Sequence, residues 1–190
     1  ITLFWAAETV LLLWLSQKSG IKLMKIASCI VMILMFISLF MDWEKIYFSM
    51  QFAKQDIVAE PMMILLNKGF ITGLVSLLSL FFSILLLKKE KESEFFNGFE
   101  TSIYKIILMV SMTVVLYLTL LFELNYQLFN RIDYGPASQI ILGFFNIVFV
   151  IGLHVWVSKK EFHFLPELLI LLGGIALFAY ILYYNGQAVL

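Results

Sequence analysis

The stretch Gly69-Phe70-Ile71-Thr72-Gly73-Leu74-Val75-Ser76-Leu77-Leu78-Ser79-Leu80-Phe81-Phe82-Ser83-Ile84-Leu85-Leu86-Leu87 decides the fold. It runs nineteen residues without a charge and stops at Lys88-Lys89. At ~1.5 Å per residue, a helix of this length covers most of a ~30 Å hydrocarbon core. No period-two alternation runs through it, which excludes a barrel strand. A backbone in lipid must satisfy its own hydrogen bonds, and that leaves a helix.

Outward from this stretch, charges punctuate the 190-residue chain into further apolar segments at 1–15, 22–41, 104–122, 136–157 and 165–184. With 69–87 they make six. Lys22 and Lys25 in the second can snorkel to the interface. The first is ~15 residues where spanning needs ~20, so it reads as a truncated span. The chain opens on Ile1 without the basic start and cleavage site of a secretory signal. It reads as a piece of a longer membrane protein. Composition agrees with lipid as the main solvent. Hydrophobic residues are 62% and charged residues 14%, against ~45–50% and ~25% in soluble domains. Mean hydropathy is +0.97. Lys+Arg and Asp+Glu balance at 13 each, so net charge selects no partner and gives no nucleic-acid footprint. One cysteine, Cys29, cannot form an internal bridge. The expected fold is an all-α, polytopic transmembrane helical bundle in up-down antiparallel order, a single domain over 1–190.

The connections orient it. The links at 16–25, 88–105 and 158–164 carry nine basic residues, and the other two carry four over longer stretches. The positive-inside rule places the first set in the cytoplasm of a multi-pass cell inner-membrane protein. Trp43, Tyr126, Tyr134, Tyr183 and Tyr184 then fall at the outer interface, and Trp14 and Trp156 at the inner one. The longest link, 42–68, mixes charges with Ile46, Tyr47, Phe48, Phe52, Ile57 and Val58. It reads as an amphipathic segment lying on the outer leaflet and broken near Pro61. Small residues mark helix-packing faces: Gly69 and Gly73, extended by Ser76 and Ser83, and Gly173, Ala176 and Ala179 in the sixth segment. Leu165-Pro166-Glu167 suits a first helical turn, and Tyr134-Gly135-Pro136 a turn into the fifth segment.

Two motifs carry a family resemblance. Phe4-Trp5-Ala6-Ala7-Glu8-Thr9-Val10-Leu11-Leu12-Leu13-Trp14-Leu15, followed by a short basic link, and Leu66-Asn67-Lys68-Gly69-Phe70-Ile71-Thr72-Gly73-Leu74 resemble large, many-span bacterial membrane proteins classed as a domain of unknown function. The resemblance implies an inner-membrane location and further transmembrane helices in the full-length chain. It supplies no activity, cofactor or catalytic residue.

Candidate chemistry starts with Glu8. If the first segment ends near Leu15, Glu8 lies ~10 Å inside the hydrocarbon. A central acid costs ~2.5–3.5 kcal/mol on insertion scales, so it should face the bundle and find a partner. It reads as a hydrogen-bonded structural residue or as an ion- or proton-handling one. Asn146, near mid-depth in the fifth segment, is the expected donor. His154 is eight residues on, about two turns and on a similar face. With Glu8 the two could form a polar ladder; alone, His154 reads as a structural histidine near the interface. His154, His163 and Cys29 lack metal-ligand spacing, so neither a metal nor another cofactor is expected. Asp42 and Glu44 stand at the outer mouth of the second segment. Membrane glycosyltransferases acting on lipid-linked sugars use acids there as bases or metal ligands, although acids at a membrane surface are common. No phosphate loop or GxSxG is present.

Three functions follow in order: a helical membrane domain of a larger bacterial envelope protein without chemistry of its own, with the lipid bilayer and further helices as partners; a transporter or flippase module using Glu8; an outer-face glycosyltransferase using Asp42 or Glu44.

Overall fold

A computed structural model describes residues 1–48, 62–90, 94–96, 99–131, 136–158 and Gly174. Apart from Gly174, the sixth expected segment, with Gly173 and Ala176, lies outside the described residues, as does the middle of the 42–68 link. Contacts divide the chain into two units, residues 1–127 and 128–190.

Among the described residues the protein is helical: α1 Thr2–Ser19, α2 Lys22–Trp43 running into a π-helical turn Glu44–Phe48, α3 Lys68–Lys88, α4 Thr101–Arg131 and α5 Pro136–Ser158. A minimal antiparallel pair, β1 Glu94–Phe96 with β2 Phe99–Glu100, joins α3 to α4. Among the described residues, four helical stretches are long and apolar enough to cross a membrane: Lys22–Phe48, Lys68–Lys88, Thr101–Arg131 and Ala137–Val157.

In the first unit, each helix buries a seam at alternating three- and four-residue steps. In α1 the buried positions are Thr2, Ala6, Thr9, Leu13 and Ser16. In α3 the seam is Gly69, Gly73, Ser76, Leu80, Ser83 and Leu87. This is the spacing of helices that pack along their length at shallow angles. α1 and α3 bury mostly small or hydroxyl-bearing residues, while α2 and α4 bury Met35, Leu39, Trp43 and Leu108. What they expose is large and apolar: Phe4, Leu11, Ile33, Ile37, Phe81 and Phe82 all face outward. In water that arrangement would forfeit the hydrophobic driving force. In lipid it is favourable, because small seams let backbones approach while apolar side chains meet acyl chains.

Hydrogen bonds between the helices fix their directions. α1 ends at Gly20, whose left-handed φ of 71° lets its N–H return to the Ser16 carbonyl at 2.9 Å. The chain then reverses. Ser28 Oγ donates to the Thr9 carbonyl at 2.8 Å, and Thr2 Oγ1 meets Ser38 Oγ at 2.7 Å, so α1 and α2 run in opposite directions. Ser79 Oγ donates to the Ala6 carbonyl at 2.7 Å and Gln17 Nε2 to the Leu86 carbonyl at 2.9 Å, so α3 runs with α1. α4 returns against α3, with Thr119 beside Gly73. In the second unit, the described structure is the last turn of α4, Gly174 and α5.

The helices outrun the apolar segments that announced them. α2 with its π turn continues to Phe48, so the start of the 42–68 link is helical. α4 reaches Arg131 instead of stopping near Phe122. Beyond the expected ends, Tyr47, Glu123 and Gln127 have partners inside the unit.

Candidate functional site: a buried carboxylate between helices

The clearest of these is Glu123. It sits in α4 one residue past the expected end of its segment, and is only 4% exposed. Four donors converge on its carboxylate. Tyr47, at the π turn, donates its hydroxyl to Oε2 at 3.0 Å. Asn67 Nδ2 donates to the same oxygen in a short hydrogen bond. The Leu65 backbone N–H reaches Oε1 at 3.1 Å, and Gln127 Nε2, one turn along α4, reaches it at 2.8 Å. No cation touches it among the described residues. An ionised carboxylate accepts only, with about four lone-pair sites. Glu123 is therefore saturated, which is what allows a charged group to be buried.

Each donor is held by the local chain. Asn67 is the N-cap of α3, its Oδ1 accepting from the Phe70 N–H at 2.9 Å. Its amide also reaches the Met63 carbonyl at 3.4 Å, while Oδ1 lies 3.2 Å from the Tyr47 hydroxyl, whose single proton is shared between Asn67 and Glu123. Gln127 Nε2 reaches the Met62 carbonyl at 3.4 Å. The 62–67 segment is thus wrapped over the carboxylate, and Leu65 adopts a left-handed φ of 62° to present its N–H. For a leucine that conformation is unfavourable by ~1–2 kcal/mol, and the charge-assisted hydrogen bond offsets it. Aromatic rings enclose the site. Tyr47 lies 6.0 Å from Tyr126 and from Phe122, and Phe122 packs edge-on against Trp43 at 5.2 Å. Gly69 admits the tyrosine: a Cβ there would stand 2.7 Å from the Tyr47 ring. Trp43 Nε1 donates to the Gly69 carbonyl at 3.3 Å.

A second polar cluster closes the opposite end of the same unit. Lys25, 4% exposed, pairs with Glu90 at 3.6 Å and lies 5.6 Å over the Phe95 ring, which stacks on Tyr104 at 4.2 Å. Gln17 Nε2 also reaches Glu90, at 3.2 Å.

The residues singled out from sequence are placed as follows. Glu8 is half-buried in α1, beside the seam instead of in it. Its Oε2 is buried with no hydrogen-bond partner among the described residues. Asn146 and His154 lie on α5 in the second unit, both half-buried and both engaged in interactions. Asp42 accepts from Thr2 Oγ1 at 2.6 Å, tying the start of α1 to the end of α2. Glu44 is exposed. Two positions apart on a helix, Asp42 and Glu44 face different ways. Gly69 and Gly73 are buried against Tyr47 and Thr119. Among the described residues no three His, Cys, Asp or Glu side chains gather in a way that could hold a metal.

Sequence reasoning missed Glu123. The usable signal was the run Leu121-Phe122-Glu123-Leu124-Asn125-Tyr126-Gln127-Leu128-Phe129, whose apolar periodicity continues past the acid and puts Gln127 four residues on. Comparisons with protein-family models, curated proteins and solved structures return no match to this chain.

Proposed function

We propose that this chain is an integral membrane helical domain of a larger bacterial envelope protein, one that packs and positions helices and carries no reaction of its own. The observation behind this is the saturation of Glu123. The most buried acid among the described residues of the first unit spends its acceptors on holding helices and a loop together. None is left for a substrate, proton or ion. In this reading the chain crosses the inner membrane six times in up-down order, with 16–25, 88–105 and 158–164 in the cytoplasm. The resemblance of residues 4–15 and 66–74 to large many-span bacterial proteins supports further helices as its partners. The test is a complementation assay with Glu8→Gln, Asp42→Ala and Glu44→Ala combined. The triple variant should insert and function as the parent does. Normal insertion with lost function overturns the reading.

One observation favours a second reading, a transporter or flippase module. Glu8 Oε2 is buried without a partner among the described residues. An acid at that depth is a functional candidate by default. Proteoliposomes with an imposed proton or sodium gradient test it. Solute flux that vanishes in Glu8→Gln, with insertion intact, supports transport; gradient-independent behaviour in both proteins rejects it.

A further inference from the structure

A groove of about 610 Å³ runs along the outside of the first unit between α1 and α3. Its walls are apolar, with Ala7 and Leu11 on one side and Phe82 and Leu85 on the other. At one end stand Trp14, Lys88 and Lys89. We propose that the groove binds one anionic phospholipid, its acyl chain between α1 and α3 and its phosphate on Lys88 and Lys89.

Three features select that occupant. Ala7 is the smallest side chain lining the groove, so a larger residue there would take up part of its space. Its volume falls within the ~300–1,000 Å³ of small-ligand sites, so it suits one chain and not a further helix. Charge complementarity then decides the headgroup. Both lysines are exposed at the C-terminal end of α3, and Trp14 of α1 brings an indole suited to headgroup depth to the same end of the groove. The neighbouring acid does not neutralise them, since Glu90 turns inward to Lys25 and Gln17. Two ammonium groups at one end of an apolar slot match a phosphate attached to a hydrocarbon chain, with the local bilayer as its source.

This rests on the membrane placement above, and the two can fail separately. The intact protein is extracted from membranes, purified and analysed by native mass spectrometry in micelles doped with equal phosphatidylglycerol and phosphatidylcholine. Phosphatidylglycerol adducts should dominate, and Lys88→Gln with Lys89→Gln should weaken them roughly thirtyfold, as two lysines near an anionic group imply. Ala7→Phe should reduce adducts of both lipids by filling the slot. Equal retention of the two lipids by the parent, or unchanged selectivity in the lysine variant, overturns the proposal. So does the absence of any adduct, the result expected if another helix or a second copy covers the groove. Should Ala7→Phe fail to fold, the exposed lysine pair still decides. Extraction without detergent would instead refute the membrane placement.

Discussion

Glu8 and Glu123 are both acids within helices, yet their surroundings differ: Glu8 Oε2 has no hydrogen-bond partner among the described residues. Glu123 has four donors, and every one is itself fixed. Glu123→Gln turns one acceptor into a donor facing donors, and so should destabilise by about 1–3 kcal/mol. Glu123→Ala strands Tyr47, Asn67 and Gln127 together and should cost more. Thermal unfolding in a mild detergent reads both. An unchanged midpoint in Glu123→Gln would show that the cluster is not held as described. For Glu8, glutamine keeps the shape and removes titration. With no partner to lose, Glu8→Gln should leave stability unchanged or raise it, because burying a neutral amide costs less than burying a charge. A drop above about 1 kcal/mol would mean that the carboxylate has a partner beyond the described residues. The two acids differed in legibility for a physical reason. An isolated acid inside an apolar run stands out, as Glu8 does. Glu123 lay at the frayed edge of such a run, and its partners Tyr47 and Asn67 come from residues 76 and 56 positions away. No local pattern carries that pairing.

At the scale of elements, α3 shows how much one seam decides. The glycine spacing at 69 and 73 is readable without coordinates; the partners are not. A Cβ on Gly73 would stand 2.5 Å from Thr119 Oγ1 and 2.7 Å from its Cγ2. Gly73→Ala should therefore destabilise by about 1–3 kcal/mol as α3 and α4 are forced apart. Thr119→Ala removes both atoms and should restore much of that loss. Failure of the rescue would place the strain elsewhere. Helix existence followed from charge-free length, as in α3 and α5, whose bounds match the apolar segments within a residue or two. Helix ends did not follow in α2 and α4. There the chain continues through Tyr47, Glu123 and Gln127, whose partners replace the solvation that a polar residue otherwise seeks.

At the scale of the molecule, the first unit has two polar ends and an apolar flank. Glu123 and Asp42 mark one end, and Lys25 with Glu90 marks the other. The proposed orientation sets the Lys25 end in the cytoplasm. In a Cys29→Ser background, cysteine at Ser93 should resist an impermeant thiol reagent in intact cells, and cysteine at Gln55 should react. The reverse pattern would invert the protein in the membrane.

Asn67 binds two structures into one. The same side chain starts α3 through the Phe70 N–H and grips the Glu123 carboxylate. Neither can let go alone, so the helix start and the wrapped 62–67 segment form a single opening unit. Amide hydrogen exchange makes this visible. In Glu123→Gln, the protons on Leu65 and Phe70 should both lose protection, and by a similar factor, although only Leu65 touched the carboxylate. The first turn of a membrane helix would then be timed by an acid on its neighbour, fifty-six residues along the chain.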